Sequence, residues 1–329
     1  MRPPDFWTGA EGTFAAQALS PLGWAWSAAG RVRRALAQPW HAPARVLCIG
    51  NLTVGGAGKT PLALDLARRI LARGHAVHFL TRGYGGRIAG PLRVDPVVHD
   101  FRNVGDEALL LARVAPTWVG ADRVKLARAA CEAGARVLVM DDGFQNPTLT
   151  KDMSILVVDG AVGFGNGRVI PAGPLREEIA DGLKRADAAV IVGADEKGAA
   201  ERIEAERPDL PRLGVRIAPG ADARRLKGRS VFAFAGIGRP EKFFATAAAA
   251  GAVVRDTAAF PDHHLFTAAE IDDVCRRAAR LGAVPLTTAK DAIRLPPGTG
   301  GGIEVLTMDL VWEDEAELDA LLETLLRDR

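Results

Sequence analysis

Thr53 to Thr60, TVGGAGKT, is the stretch that decides the fold, and it follows an apolar run at Arg45 to Gly50, RVLCIG. Its glycines let backbone N–H groups turn inward around an anion, and a helix beginning near Pro61 would point the positive end of its dipole at the same place. The final Gly-Lys-Thr matches a phosphate-binding loop, G-x-x-x-x-G-K-S/T, although Thr53 stands where glycine is usual. A glycine-rich turn with an incidental lysine is the alternative, and the flanking strand and helix favour the loop. The candidate phosphate-binding residues are Thr53, Val54, Gly55, Gly56, Ala57, Gly58, Lys59 and Thr60.

Two acidic residues supply the partner that such a loop needs for a metal ion. Asp141 and Asp142 come directly after a second apolar run, Arg136 to Met140. Adjacent carboxylates at a strand end repel one another and attract a divalent cation. We therefore expect Thr60, Asp141 and Asp142 to bind Mg²⁺, with Lys59 on the β- and γ-phosphates. An Asp-Asp-Gly turn without a metal is the other interpretation.

Apolar runs alternate with amphipathic stretches from Arg45 onward, which is typical of an α/β protein. Continuous apolar strands separated by helices predict a mainly parallel sheet covered by helices, with ligands at the carboxyl ends of its strands. The predicted strands are Arg45–Gly50, Ala76–Thr81, Arg136–Asp141, Ser154–Asp159 and Ala188–Gly193, with helices at Pro61–Arg73 and Arg123–Ala133.

A second, smaller α/β domain is predicted in the last third of the chain. Arg207 to Arg229 is rich in proline, glycine and arginine, and it interrupts the pattern before a new series begins. The new series has strands at Val231–Ala235, Ala283–Thr287 and Ile303–Met308, and helices at Glu241–Ala250, Ala268–Leu281 and Glu315–Leu325. We therefore divide the chain into an N-terminal interfacial segment at residues 1–40, a P-loop nucleotide-binding domain at 41–220 and a smaller C-terminal α/β domain at 221–329.

The composition excludes several classes of protein. With 42 basic and 40 acidic residues among 329, the net charge is +2, so there is no overall positive field for nucleic acid. Three widely separated cysteines beside apolar residues indicate buried thiols in a reducing compartment, without zinc spacing or a disulfide framework. The sequence gives no indication of an obligate protein partner.

The first forty residues contain four of the six tryptophans, and Arg31, Arg33 and Arg34 follow the first three of them. The basic cluster comes after the apolar stretch, and Pro21 breaks that stretch, so a secretory signal fits poorly. Polar residues dilute it below what a membrane-spanning helix requires. Aromatic rings at headgroup depth with arginines on lipid phosphates would suit a membrane interface. A helix packed on the protein's own core is the alternative.

The two motifs predict nucleotide binding but not the reaction. A GTPase would be expected to carry an Asn/Thr-Lys-x-Asp element, and the string Thr288 to Asp291, TAKD, has a different order, which favours ATP. Transfer to a hydroxyl needs a base near the acceptor. The candidates are Asp106 or Glu107 in VGDE, and His263 or His264, although such acids also begin helices and such histidines also occur at surfaces.

A series of short motifs, taken in order, resembles the tetraacyldisaccharide 4'-kinase family, the lipid A 4'-kinases of Gram-negative bacteria. The family's loop characteristically begins with threonine, as it does here at Thr53, and the match extends over most of the chain. One departure is Asn146, where the family usually has histidine after DDGFQ. The motifs are Gly50–Pro61 (GNLTVGGAGKTP), Thr81–Gly85 (TRGYG), Val104–Glu107 (VGDE), Asp141–Gln145 (DDGFQ), Pro171–Glu177 (PAGPLRE), Ala235–Gly238 (AGIG), Phe260–His263 (FPDH) and Thr287–Asp291 (TTAKD).

The resemblance implies transfer of the γ-phosphoryl group of ATP to the 4'-hydroxyl of a tetraacylated glucosamine disaccharide 1-phosphate, a membrane lipid, which yields lipid IVA. It implies that Asp106 and His263 form a dyad between the two domains that accepts the hydroxyl proton, the carboxylate fixing the imidazole tautomer. It also implies peripheral docking on the cytoplasmic face of the bacterial inner membrane through the N-terminal segment. The candidate contacts for sugar or phosphate are Arg82, Tyr84, Glu107, Arg123 and Gln145.

Two other functions compete with this lipid kinase. One is a P-loop ATPase switch whose aromatic N-terminus recruits a protein, and the other is a soluble small-molecule kinase whose N-terminal helix belongs to its core.

Overall fold

The computed structural model describes residues 4–7, 13–88 and 90–327. Within these residues the chain forms a nine-stranded and a four-stranded sheet. The predicted N-terminal segment at residues 1–40 is described except for residues 1–3 and 8–12, which lie outside the described ranges. The mainly parallel α/β class predicted from the sequence is confirmed.

The described residues form thirteen strands, eleven α-helices and two short 3₁₀ helices, at Asp5–Trp7 and Ala221–Leu226. The strands are β1 (Arg45–Gly50), β2 (Val77–Thr81), β3 (Leu92–Arg93), β4 (Thr117–Val119), β5 (Val137–Asp141), β6 (Met153–Asp159), β7 (Ala188–Val192), β8 (Arg212–Pro219), β9 (Ser230–Ala235), β10 (Val253–Ala259), β11 (Val284–Thr288), β12 (Glu304–Leu306) and β13 (Met308–Trp312). The helices are α1 (Phe14–Ala35), α2 (Lys59–Ala72), α3 (Phe101–Val104), α4 (Asp106–Ala112), α5 (Arg123–Glu132), α6 (Ile179–Leu183), α7 (Ala199–Glu206), α8 (Pro240–Ala249), α9 (Ala268–Arg280), α10 (Ala289–Ala292) and α11 (Glu315–Leu326).

The larger sheet has the strand order β13-β8-β7-β6-β1-β5-β2-β4-β3, so β1 lies at its centre. β3 and β13 run antiparallel to their neighbours, and the other pairs are parallel. Successive residues of β1 enter opposite cores, since Val46 and Cys48 pack on one face and Leu47 and Ile49 on the other. A strand buried on both faces has no solvent side for polar residues, which explains its unbroken apolar run.

The register of the central strands brings the two predicted motifs together. Ile49 lies opposite Asp141 of β5, and Gly50 lies opposite Leu156 of β6. Because these strands are parallel, their carboxyl ends meet at one edge of the sheet. The predicted phosphate-binding loop and the two aspartates therefore share that edge.

The smaller sheet has the order β10-β9-β11-β12 and is parallel throughout. As in β1, alternate residues of β9 pack into hydrophobic cores on opposite faces of the sheet. Ala233 packs with Phe243 of α8 on one face, and Phe234 packs with Ile271 of α9 on the other. This is the second α/β unit that the sequence predicts.

The end of the chain returns to the larger sheet, which differs from the predicted second domain at 221–329. β13 pairs antiparallel with β8, and Leu318 and Leu322 of α11 pack in the same core as Leu66 of α2. The single strand predicted at Ile303–Met308 is two strands on two different sheets, β12 and β13. β8 also lies inside the stretch that we expected to separate the domains. Local periodicity predicts an element but not the sheet that it joins.

Helix α1 lies on the protein through a face of small residues. Ala16, Ser20, Gly23 and Ser27 are buried, and a Cβ added at Gly23 would stand 2.9 Å from the carbonyl oxygen of Val169. Most of the large apolar side chains of α1 lie on other faces and are exposed, at 86% for Phe14, 57% for Leu22, 66% for Trp24 and 53% for Trp26. Among the described residues, no helix has the length and apolar character to cross a membrane.

The arginines that follow the aromatic residues bind the protein itself. Arg31 lies 3.2 Å from Glu178, and Arg34 lies 3.0 Å from Glu177. Arg33 donates to the backbone carbonyl of Gln145 at 3.0 Å. These contacts attach the end of α1 to the start of α6 and to the loop after β5. The contact of these arginines with lipid phosphates stays a prediction.

Candidate active site

The loop between β1 and α2 has the backbone that its glycines allow. Gly55 and Gly58 have φ values of 122° and 88°, a region that other residues rarely adopt, and Gly58 is the residue before the first turn of α2. Thr53 forms an isolated bridge with Leu175, and the N–H of Val54 donates to the carbonyl of Pro174 at 2.8 Å. The start of the loop is therefore paired along an extended segment, which explains why threonine suits this position.

Lys59 is held at the mouth of this loop by oxygen atoms. Its Nζ donates to Oδ1 of Asn51 at 3.0 Å and lies 3.7 Å from a carboxylate oxygen of Asp142. Asn51 is fully buried and also donates to the carbonyl of Thr53 at 2.8 Å. The ammonium group thus lies at the predicted phosphate-binding loop.

The two adjacent aspartates have different surroundings. Asp141 is buried, and its Oδ2 accepts a hydrogen bond from the hydroxyl of Thr60 at 2.9 Å. Asp142 has φ 56°, and its carboxylate instead accepts from Arg176 at 2.8 Å. Burial and the nearby Glu107 raise the pKa of Asp141 to about 7. Burial alone would raise the pKa of Asp142 too, but Lys59 and Arg176 outweigh it and lower that pKa.

The chemistry of this donor set fits a magnesium ion. Oδ1 of Asp141 is buried and has no hydrogen-bond partner among the described residues, and the hydroxyl of Thr60 lies beside the same carboxylate. Mg²⁺ is commonly bound by one or two carboxylates together with substrate phosphates. Thr60 and Asp141 are therefore the residues that could hold the ion, whereas Asp142 already lies beside two cationic side chains, Lys59 and Arg176.

We predict that Asp141→Asn stabilises the metal-free protein at pH 8. The folded state holds the proton of Asp141 more tightly than the unfolded chain does, because the pKa rises from 3.8 to about 7. Its contribution to stability is thus fully present below pH 4 and is lost as the pH rises toward 7. Asparagine does not ionise and so avoids this loss. The expected increase in the free energy of unfolding is roughly 1–3 kcal/mol at pH 8. Thermal unfolding in EDTA should show a difference that shrinks toward pH 4, and an equal difference at both pH values would contradict the argument.

Asp106 begins α4 beside the larger sheet, and His263 lies in the loop after β10 of the smaller sheet; the two side chains meet in the cleft between the sheets. Nδ1 of His263 lies 3.1 Å from Oδ2 of Asp106, which is buried at the start of α4. Their neighbours in sequence have other partners. His264 pairs with Glu270 at 3.0 Å, and Glu107 lies 3.9 Å from Nζ of Lys290. Of the candidate bases, the structure therefore brings Asp106 and His263 together.

Cationic side chains surround the buried carboxylate of Asp106. Nζ of Lys290 lies 3.8 Å from Oδ2, and Nε of Arg294 lies 3.6 Å from it. Burial alone would raise the pKa of Asp106, but the hydrogen bond to His263 and these two cations lower it. Asp106 is thus an ionised partner for the imidazole at neutral pH.

Close backbone packing sets the position of Asp106. Gly105 precedes it with φ 86°, and a Cβ there would lie 2.4 Å from the carbonyl oxygen of Tyr84. A Cβ added at Gly86 would likewise lie 2.7 Å from the backbone carbonyl oxygen of Asn103. The TRGYG turn and the VGDE helix start therefore touch backbone to backbone, which no side chain at these glycines would allow.

Of the residues predicted to contact sugar or phosphate, some have exposed side chains and others bond to groups within the protein. Arg82 is exposed, and Tyr84 is 74% exposed with its ring centroid 6.2 Å from that of His263. Gln145 bonds internally to the carbonyl of Asn51 at 2.9 Å and to Glu177 at 3.2 Å. Arg123 is only 3% exposed and donates to the carbonyls of Thr81 and Gly120, so it lies beneath the edge of the sheet.

Asn146, where the resemblance leads us to expect histidine, stabilises a turn. Its Oδ1 accepts from the backbone N–H groups of Thr148 and Leu149 at 3.1 and 3.2 Å. Its own carbonyl accepts from Lys151 at 2.6 Å. The polar groups of Asn146 are therefore used to stabilise this turn.

Several polar residues at the cleft were not singled out from the sequence. They are Asn51, Arg176, Arg239, Lys290 and Arg294. Arg239 contacts Asp159 at the end of β6 and so joins the two sheets a second time. Asn51, Arg176 and Lys290 lie within the quoted motifs, and a polar residue directly after a buried strand was the signal that could have identified Asn51.

The chain is similar to known proteins along nearly its whole length. The family described as LpxK, tetraacyldisaccharide-1-P 4'-kinase, matches residues 15–327. Tetraacyldisaccharide 4'-kinases from Rhodospirillum centenum and Gluconacetobacter diazotrophicus are 53% and 51% identical, over 99% and 98% of this chain and 97% and 98% of their own. A crystal structure of "apo" form LpxK from Aquifex aeolicus in complex with ATP has a TM-score of 0.74 and 27% identity, and covers 95% of this chain and 99% of that chain.

Proposed function

The chain belongs to the tetraacyldisaccharide 4'-kinase family, and we propose that it transfers the γ-phosphoryl group of ATP to the 4'-hydroxyl of tetraacyldisaccharide 1-phosphate through the residues described above. The observation that carries the assignment of residues is the position of Glu107. Its carboxylate contributes to the raised pKa of Asp141 beside the loop, and it is the residue next to Asp106 of the dyad. Helix α2, which begins at Lys59, also packs against helix α4, which begins at Asp106. A phosphate site and a base in one cleft are what phosphoryl transfer to a hydroxyl requires.

In the proposed mechanism His263 is the proton acceptor. The 4'-oxygen attacks the γ-phosphorus while its proton moves to Nε2 of His263, and the bond between the γ-phosphorus and the β–γ bridging oxygen breaks, which releases ADP. Asp106 accepts the Nδ1–H hydrogen bond and stabilises the imidazolium that forms.

The loop side of the cleft holds the nucleotide. Lys59 leaves Asn51 and Asp142 to contact the β- and γ-phosphates, and the backbone N–H groups of the loop bind the remaining oxygens. Thr60 and Asp141 would hold Mg²⁺, which when bound supplies positive charge to the phosphates. Asp142 keeps Arg176 in place through their 2.8 Å hydrogen bond.

The acceptor is proposed to reach this cleft from a membrane surface along α1. The indole of Trp26 donates to the carbonyl of Arg176 at 3.0 Å, and Arg176 bonds to Asp142. The exposed aromatic face of α1 therefore lies close to the active site, and this supports peripheral docking on the cytoplasmic side of the inner membrane, where ATP is available. The acyl chains would stay in the bilayer while the headgroup enters the cleft.

The test of this function is transfer of label from γ-³²P-ATP to the disaccharide lipid in detergent micelles. We expect a labelled lipid product that requires Mg²⁺, and no product from an acceptor whose 4'-hydroxyl is replaced by hydrogen. ATP hydrolysis that ignores the lipid, without any labelled lipid, would favour the ATPase switch instead.

We predict that Leu22→Glu weakens binding to vesicles without altering ATP binding. Leu22 is 57% exposed on α1, and burying one leucine contributes roughly enough free energy to change partitioning about tenfold. Leu281→Glu is the matched control, because Leu281 is 44% exposed at the end of α9 on the smaller sheet. Sedimentation with phosphatidylethanolamine–phosphatidylglycerol vesicles measures the effect, and equal loss in both variants would contradict docking through α1.

A further inference from the structure

We propose that Lys290 occupies the proton-accepting nitrogen of His263 until the acceptor hydroxyl displaces it, and that it thereby suppresses transfer of the phosphoryl group to water. This inference rests on the proposed role of His263 as the base. Lys290 is a positioning residue in this account, since it acts through the imidazole.

The geometry determines which nitrogen of His263 is available. Nζ of Lys290 lies 3.2 Å from Nε2, while Nδ1 lies 3.1 Å from Oδ2 of Asp106. An ammonium group can only donate, and a carboxylate can only accept. The imidazole therefore carries its proton on Nδ1 and presents the lone pair of Nε2 to Lys290. That lone pair is the one that the 4'-hydroxyl needs.

The backbone of Lys290 is fixed while its side chain has alternative partners. Lys290 lies in the short helix α10, whose first turn is capped by the Thr288 hydroxyl at 3.0 Å from the N–H of Asp291. Asp291 in turn binds Arg294 at 2.8 Å, and both side chains are buried. The cap and this buried pair anchor the backbone on both sides of the lysine.

A displaced ammonium group has nearby acceptors. Oδ2 of Asp106 and Oε1 of Glu107 lie 3.8 and 3.9 Å from Nζ in the present position. A small rotation of the side chain brings Nζ into hydrogen-bond distance of either carboxylate. Moving Lys290 off Nε2 therefore leaves neither the cation nor Asp106 without an oppositely charged partner.

The other polar groups around His263 do not replace Lys290. A carboxylate oxygen of Asp262 lies 3.9 Å from Nε2, which is too far for a hydrogen bond, and it has no proton to donate when ionised. Arg294 faces Asp106 rather than the imidazole. The ring of Tyr84 lies at an angle of 63° to that of His263.

The enzyme discriminates against water because the two acceptors differ in the binding energy that they can supply. Water could give its proton to Nε2 and attack the γ-phosphorus, releasing ADP and phosphate, by the same bond changes as the lipid. Removing the ammonium group from Nε2 first requires binding energy. The disaccharide phosphate has many groups with which to supply it, and a single water molecule has few.

The test is the ratio of ATP hydrolysis without lipid to phosphoryl transfer with lipid. In Lys290→Met we expect this ratio to rise about tenfold or more, the factor associated with one charge-assisted hydrogen bond. The rise should come from faster hydrolysis, and Lys290→Arg should keep hydrolysis low because arginine also donates. Lys242→Met, which removes an exposed lysine of α8, is the matched control and should leave the ratio unchanged.

A double variant connects the effect to the imidazole. Lys290→Met with His263→Ala should hydrolyse ATP no faster than His263→Ala alone. A Lys290→Met protein that loses hydrolysis and transfer together, or that keeps the wild-type ratio, overturns the inference. Absence of lipid product from the wild-type enzyme would instead reject the proposed function, so the two failures are distinguishable.

A measurement on the unaltered protein covers the case in which the variants do not fold. With ¹⁵N-labelled histidine, the imidazole of His263 should show an unprotonated Nε2 and a protonated Nδ1 in the absence of lipid at pH 8. Assignment uses the spectrum of His263→Ala or, failing that, the coupling across the hydrogen bond to the carboxylate carbon of Asp106 in protein that also contains ¹³C-labelled aspartate. A protonated Nε2 with an unprotonated Nδ1 would overturn the inference.

Discussion

Replacing His263 by alanine is expected to lower kcat for lipid phosphorylation by about 10²–10⁴-fold, the range typical of a lost general base. Asp106→Asn should also lower kcat strongly, because asparagine cannot stabilise the imidazolium that Asp106 contacts at 3.1 Å. The affinity for ATP should change little, since both side chains act on the acceptor proton. Initial rates of transfer in micelles, with nucleotide binding measured separately, check the prediction.

His264→Gln is the matched control for the dyad. This substitution replaces the histidine next to His263. The imidazole of His264 pairs with Glu270 rather than with Asp106. Because Asp106 and His263 are proposed to act as a unit, the double variant should be about as slow as the slower single variant. If the fall in kcat of the double variant equals the product of the two single-variant falls, the two side chains act independently.

Replacing Lys59 by alanine is expected to lower kcat by roughly 10²–10³-fold, since a preorganised cation at a transferring phosphoryl group contributes an effect of that order. Removing the ammonium group leaves negative charge on the γ-phosphate uncompensated. It also leaves Asn51 and Asp142 without the cation that lies 3.0 and 3.7 Å from them. Transfer of label from ATP to the lipid measures the loss.

Lys125→Ala is the control for Lys59, because Lys125 is a lysine with a 69% exposed side chain on α5. It should retain wild-type transfer. Both variants should unfold within a few degrees of the wild-type Tm, so that a kinetic loss is not a loss of folded protein. Undiminished transfer by Lys59→Ala would contradict the assignment of the loop.

Much of the larger sheet could be predicted because the information is local. Strands β1, β5 and β6 are buried on both faces, so they appear as unbroken apolar runs. The loop before α2 needs positive φ values at Gly55 and Gly58, and glycine identifies such positions directly. The last two strands at one end of the sheet were harder to predict, since β3 and β4 have only two and three residues.

The location of the last strand and helix depends on packing between distant residues. Arg69 of α2 pairs with Glu315 at the start of α11, and the indole of Trp312 donates to Asp65 at 2.9 Å. These contacts join residues almost 250 positions apart and attach the end of the chain to the larger sheet. Periodicity within α11 shows which face is apolar but not which core receives it.

The sequence by itself determined the mainly parallel α/β class, the glycine-rich loop predicted to bind phosphate, and the candidate acids and histidines, because each depends on backbone preferences and burial patterns within a few neighbouring residues. Only the tertiary structure decided that Asp141 rather than Asp142 lies beside Thr60, and that His263 rather than His264 faces Asp106. Neighbouring residues of the same type are equivalent in a local pattern. They differ only when the backbone turns one side chain toward a partner, and for His263 that partner lies 157 positions away in the chain.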